Sequence, residues 1–246
     1  MKLSGRTCVF AGATGQIGRG AVKALAEKGM NVVMVTHNPD AAGDVVGQMK
    51  GYPGQVIAVS NSVGDSEIFR HAENLFGSVD AVISSTGGLQ SRNLPEDISD
   101  DKLDAKLHHQ ITEPFHMVRE ALPYLKRSRN PRILFVSTVG ALDGFREEGI
   151  EDSIAGGGVI SMTYALARVL ADRGITVNCI ARGGMINDHT PSGKEDYDAA
   201  RIEHMIPAGH AGTADEFGAL AAYILSEEAD YVTGHVFNLT GGLYIG

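Results

Sequence analysis

Two rhythms of apolar and polar positions alternate along this chain. Short β-branched runs read as strands, and longer stretches with apolar residues three and four apart read as helices. Thr7 to Ala11 is the first predicted strand. Gly12, Gly15 and Gly18 follow it. Ile17, Val22, Leu25 and Ala26 then share one helical face, closed by Gly29. Val32 to Val35 is the second strand, with a turn from Thr36 to Asp40 and a helix over 40–50 that turns Val45, Val46 and Met49 inward. Gln55 to Val59 is a strand, Asp65 to Phe76 a helix, and Asp80 to Ser84 a strand ended by Gly87-Gly88. Ser99 suits the cap of a helix reaching to about Lys126, which Pro114 should kink. Arg132 to Val136 is a fifth strand. A loop rich in charge, Asp143 to Asp152, leads into a helix ending near Arg173-Gly174, and Ile175 to Ile180 is a sixth strand. Asn187 to Asp198 has the polar character of a mobile lid. A helix at 213–226 and a strand at 235–239 complete the pattern.

Regular alternation of strand and helix predicts an α/β protein with a parallel, doubly wound sheet of about seven strands, one domain over 1–246. The first strand–turn–helix–strand carries the glycine spacing of a dinucleotide-binding turn, so the expected sheet is of Rossmann type. One glycine permits the tight turn, one lets the backbone approach a pyrophosphate, and one seats the helix against the strand. The helix amino terminus then offers free N–H groups and partial positive charge to phosphates.

Composition narrows the partners. With 246 residues, 43% hydrophobic, the chain can bury a large core. A formal net charge of −9 argues against nucleic acid or an anionic membrane surface as a partner. Cys8 and Cys179 lie in apolar runs, which suits small buried residues rather than disulfides, so a reducing cytoplasm is expected. Lys2 and Arg6 precede apolar residues, but the glycine turn follows too soon for a signal peptide. No stretch reads as long and apolar enough to span a membrane. No metal-ligand pattern stands out.

The later motifs are more specific. Ile206-Pro207-Ala208-Gly209-His210-Ala211-Gly212 with Asp215-Glu216, and Asp230-Tyr231-Val232-Thr233-Gly234-His235-Val236 with Gly241-Gly242, resemble segments of short-chain dehydrogenases/reductases. Gly174-Ile175-Thr176-Val177-Asn178 and Gly183-Gly184-Met185 resemble that family's sixth strand and the turn after it. The resemblance covers essentially the whole chain. It implies a cofactor site carried by Gly12, Thr14, Gly15, Gln16, Ile17, Gly18, Thr36, His37, Thr86, Gly87, Gly183 and Met185, with Asn61 reading the adenine amino group. It implies pairing into a homotetramer or homodimer through the helices at 100–126 and 152–173 and the last strand.

The chain also departs from the family pattern. Its glycine spacing, 12, 15 and 18, is that of the extended and atypical branches, and Ser84-Ser85-Thr86-Gly87 stands for the usual Asn-Asn-Ala-Gly. Gln110 aligns with the catalytic asparagine. Thr138, preceded by Ser137, aligns with the catalytic serine. Counting back from Gly174 puts Asp152 at the tyrosine position and Gly156 at the lysine position of Tyr-x-x-x-Lys. Tyr164-x-x-x-Arg168 lies twelve residues further on, roughly 18 Å along a helix at about 1.5 Å per residue, and does not substitute. Asp152 is expected to act as a base, or as an acid if burial raises its pKa. His109, beside Gln110, is the other candidate for proton transfer, although it also fits an ordinary helix-surface histidine. Asp143, Arg146, Glu147 and Glu148 belong to the loop expected to overhang the cofactor.

Thr36 stands where NAD-binding members carry an acid, which removes a charge that would repel a 2′-phosphate and favours NADP over NAD. The expected activity is an NAD(P)-dependent oxidation or reduction of a small alcohol or carbonyl compound at a remodelled site. A non-redox lyase or isomerase, or a redox-silent nucleotide-binding regulator, on the same scaffold remains as the alternative.

Overall fold

The computed structural model describes residues 3–60, 65–86, 93–145, 148–185 and 204–246, with the side chain of Gln16 excepted. The expected lid at 187–198 lies outside the described residues. Seven parallel strands form one sheet: β1 (Thr7–Ala11), β2 (Asn31–Thr36), β3 (Val56–Ser60), β4 (Ala81–Ser84), β5 (Arg132–Thr138), β6 (Thr176–Arg182) and β7 (Val236–Leu239). Their spatial order is β3-β2-β1-β4-β5-β6-β7. The order reverses between β1 and β4, so the ligand cleft of such a sheet opens at the carboxyl ends of these strands.

Alternation along each strand fills two cores. Cys8, Phe10, Met34 and Ile83 pack beneath α1 (Gln16–Glu27), α2 (Pro39–Gln48) and α8 (Ala214–Ile224). Val9, Ala11, Val33 and Val82 pack beneath α3 (Ser66–Phe76), α5 (Glu113–Leu125) and α7 (Ile150–Leu170). With both faces covered, the strands read as continuous apolar runs. The two cysteines are fully buried, one in each core, and burial pushes the Cys179 thiol up to about 12. Helix starts follow their caps: Asp65 accepts from the Glu67 N–H, Ser99 from Lys102, and Thr213 forms a reciprocal capping box with Glu216.

Three expectations need correction. The helix expected from Ser99 to Lys126 is divided into α4 (Asp100–Leu107), a π-turn at His108–Thr112, and α5. The Glu113 N–H donates to the His108 carbonyl, and Pro114 has no N–H, so the His109 carbonyl has no donor within the helix. The Thr86 hydroxyl supplies one at 2.8 Å. The charged loop is also shorter than expected. A turn of helix, α6 (Gly140–Asp143), follows β5, and α7 begins at Ile150, which puts Asp152 inside the first helical turn. Finally, residues Ile150–Arg173 are long and apolar enough, by length and composition, to cross a membrane. Here this helix carries Glu151 and Asp152 in its first turn and buries Val159, Ile160, Ala167 and Leu170 against the sheet, as a core helix does.

At the amino ends of the strands, a buried polar cluster locks β1, β4 and β5 together. Asp80 accepts from the Thr7 N–H at 2.8 Å and from the Ser78 and Ser128 hydroxyls at 2.6 Å each. Arg132, 1% exposed, donates to the Ser226 carbonyl at 3.1 Å and to Asn130 at 2.8 Å, and pairs with Asp230. Asp80 also faces the Arg6 guanidinium. Asp80→Ala strands a buried N–H and leaves the Arg6 charge without its facing carboxylate, so it should cost about 3 kcal/mol. Asp80→Asn should cost about half of that. Urea unfolding midpoints, at unchanged slope, check both values.

Candidate active site

The glycine turn is built by contact between backbones. Gly12 sits at φ +88°, and a β-carbon there would lie 2.4 Å from the Ser85 carbonyl oxygen. A β-carbon on Gly18 would lie 2.4 Å from the Gly12 oxygen. No side chain other than hydrogen fits at either position. Gly15 caps α1 without any side-chain hydrogen bond, and no acid stands in the first turn. The Gly15 N–H donates to the Gly12 carbonyl at 3.2 Å, and the first-turn N–H groups of α1 beyond it present the partial positive charge that a pyrophosphate needs, so this half of the site fits a dinucleotide. Ile17 packs into the core below the turn, and the Arg19 side chain donates to the Thr14 carbonyl at 3.3 Å.

At the end of β2, the Thr36 hydroxyl accepts from the Asn38 N–H at 2.9 Å and donates to the Asn38 carbonyl at 3.2 Å. It closes a turn, and the exposed His37 is the side chain left facing out. On the far side of the cleft, Gly183 donates to the Leu239 carbonyl and stands against Thr240 with no room for a side chain. Met185 bridges to Gly212 and packs on the core. Asn61 and Gly87 lie outside the described residues.

The expected catalytic positions converge on the carboxyl ends of β4, β5 and β6. Asp152, 6% exposed, accepts on one oxygen from Lys106 Nζ at 2.8 Å and from Gln110 Nε2 at 3.3 Å. The Ser137 hydroxyl donates to the Gly156 carbonyl at 3.0 Å. Thr138 donates to Glu148, whose same oxygen accepts from the Gly140 N–H at 2.9 Å. Glu148 is 9% exposed. Burial pushes its carboxyl pKa up. The Arg182 guanidinium and the Gly140 N–H pull it back, while Asp152 and Asp143 add to the rise. Glu151, 2% exposed, accepts from Asn93 Nδ2 at 2.7 Å.

His109 does not join this cluster. Its ring is 64% exposed and reaches Glu113 at 3.2 Å; only its carbonyl takes part, through Thr86. Tyr164 is 48% exposed on the far half of α7. One partly buried participant, Lys106, escaped the sequence reading, and Glu148 was named there only as one of the charges of the loop over the cofactor. Lys106 carried a usable signal, since it precedes Gln110 by four residues and so shares its helix face. Glu148 stood among the loop charges with nothing to single it out. Arg146 and Glu147 lie outside the described residues.

Gly156 is closely packed. A β-carbon there would fall 2.9 Å from the Ala141 β-carbon, 2.9 Å from Ser137 Oγ and 3.0 Å from Thr138 Cγ2. Helix α7 lies directly on β5 and α6 at this point.

A doubly wound parallel sheet with a glycine turn at its reversal point defines a protein of the Rossmann class. A family model described as enoyl-(acyl carrier protein) reductase matches residues 12–244. The 3-oxoacyl-(acyl carrier protein) reductase of Staphylococcus epidermidis is 30% identical over 246 residues, spanning 98% of this chain and 99% of its own. The enzyme of the same name from Thermotoga maritima is 28% identical over 252 residues. The short-chain dehydrogenase/reductase of Serratia marcescens superposes with a TM-score of 0.88 over 99% of both chains, at 24% identity. The chain belongs to the short-chain dehydrogenase/reductase family, a family of oxidoreductases.

Close packing at Gly156 makes a test. Alanine is worth about 1 kcal/mol more than glycine inside a helix. At Gly156 that gain should be outweighed by overpacking of about 1–3 kcal/mol, so Gly156→Ala should lower stability. Gly43, exposed in α2 with nothing within 4 Å of its would-be side chain, should show the gain alone. Thermal midpoints of Gly156→Ala and Gly43→Ala should therefore move in opposite directions.

Proposed function

We propose that this chain is an NAD(P)-dependent oxidoreductase that interconverts a small carbonyl compound and its alcohol without the tyrosine–lysine proton relay. The observation that carries this reading is the cluster of Asp152, Lys106 and Gln110 beside Thr138 and Glu148, at the carboxyl end of β5, on the cleft side of the sheet. The relatives are named as reductases of 3-oxoacyl carriers, which supports a carbonyl group as the reacting function. A bound nicotinamide would supply or accept the hydride. The α1 amino terminus would hold the pyrophosphate, with Gly183 and Met185 lining the far side. Thr138 or Ser137 would hold the substrate oxygen. Asp152, or the less buried His109, would handle the proton, with Gln110 orienting Asp152.

NADP is the favoured nucleotide. No acid stands at the end of β2, Thr36 closes a neutral turn, and His37 faces out beside it. The acidic composition fits a small-molecule substrate rather than nucleic acid, and the buried free thiols suit a cytoplasmic setting. Phe115 on α5 and Ile154, Tyr164 and Val169 on α7 are large apolar side chains exposed on a single chain. They support pairing of these helices in a homodimer or homotetramer, which light scattering of the purified protein would read.

The closed Gly156 site favours a second reading, a protein that binds the nucleotide without turning it over. Titration with NADPH and NADH, followed by a panel of 3-oxo esters, aldehydes and secondary alcohols, separates the two. Nucleotide-dependent turnover establishes the oxidoreductase, and binding without turnover establishes the regulator. Calorimetry should show NADPH binding more tightly than NADH, and Thr36→Asp should reverse that order. With a turned-over substrate, Asp152→Asn should lose about a hundredfold to ten-thousandfold in kcat. Tyr164→Phe should stay within about twofold of the parent, since an exposed side chain far along α7 has no part in such chemistry.

A further inference from the structure

We propose that Glu148, acting through the Thr138 hydroxyl, supplies the proton in carbonyl reduction, so that acid–base work passes from α7 to the segment before it. The inference rests on the oxidoreductase reading above and gives the proton to Glu148 where that reading gives it to Asp152 or His109. Thr138 ends β5 in register with Arg182 at the end of β6, on the side where the cleft opens. Its hydroxyl contacts Glu148 directly, and the Gly140 N–H fixes the same carboxyl oxygen at 2.9 Å. A β-carbon at Gly140 would lie 2.6 Å from that oxygen, so glycine at this position makes room for the carboxyl.

A hydroxyl alone is a poor acid. With the carboxyl protonated the bond between them reverses, Glu148 donating to the Thr138 oxygen, and the hydroxyl passes on the carboxyl's proton. Among the described residues, the groups facing Glu148 are Thr138 from β5, Gly140 and Asp143 from α6, Asp152 and Ser153 from α7, and Arg182 from β6. Burial, the largest influence, keeps the proton on the carboxyl to higher pH, as a donor requires. In reduction the carbonyl carbon takes a hydride from the reduced nicotinamide nucleotide, which is thereby oxidised by two electrons. The new alkoxide oxygen takes the Thr138 proton, and Thr138 takes the proton of Glu148. The carboxylate left behind is held by the Gly140 N–H, faces Arg182, and is reprotonated from solvent.

The test uses the full chain with NADPH and ethyl acetoacetate, a 3-oxo ester, across a pH series. The parent's kcat should fall about tenfold per pH unit above the Glu148 pKa. Glu148→Gln should bind NADPH within about twofold of the parent, lose about a hundredfold or more in kcat, and lose that pH limb. Glu148→Asp should keep the limb at a lower rate, and Thr138→Val should match Glu148→Gln. A Glu148→Gln protein that turns over at the parental rate overturns the assignment. So does the same limb persisting in Glu148→Gln, or its disappearance in Asp152→Asn alone. If the parent reduces neither ethyl acetoacetate nor the wider panel while binding NADPH, the oxidoreductase reading itself fails and this assignment falls with it.

Discussion

The site is shaped by how closely α7 lies on β5. At Gly156 the helix backbone stands within a β-carbon's reach of Ser137, Thr138 and Ala141, and the Ser137 hydroxyl is turned inward onto the Gly156 carbonyl. Packed interiors do not deform freely, so no side chain larger than hydrogen fits at position 156 unless α7 or its neighbours shift. Asp152, one turn earlier on α7, draws its cation from a different helix, through Lys106 on α4.

The start of α7 and the segment before it concentrate acid. Glu148, Glu151 and Asp152 are each less than a tenth exposed within one short stretch of chain. Three buried carboxylates cannot all carry charge unless each is answered. Lys106 and Gln110 answer Asp152, and Asn93 answers one oxygen of Glu151. Burial, the largest influence, pushes the Glu148 carboxyl pKa up, with help from Asp152 and Asp143, while the Arg182 guanidinium and the Gly140 N–H pull it back.

The sheet, its parallel order and the glycine turn were legible in the sequence because local pattern and global packing agree there. Strands covered on both faces are apolar throughout, and Asp65, Ser99 and Thr213 announce the helices they cap. What escaped depends on contacts distant in sequence. The start of α7 at Ile150 has no side-chain cap to mark it, since Gly149 precedes it. Glu148 earns its place from a β5 hydroxyl and an α6 N–H, neither of which local pattern reveals. Thr36 looked available for a phosphate, but its hydroxyl is drawn into the turn by Asn38.

The π-turn at His108–Thr112 joins the two halves of the site. Pro114 removes the donor that the widened turn would need, and the His109 carbonyl it leaves open is taken by Thr86, in the segment that runs from β4 past the glycine turn. Ser85 lies against Gly12 and Thr86 holds the helix backbone, so the backbone that meets the nucleotide and the helix that carries Lys106 and Gln110 are coupled through two adjacent residues. Pro114 stands in the first turn of α5, where a missing N–H costs little, and the carbonyl it frees is bonded by Thr86 rather than left open.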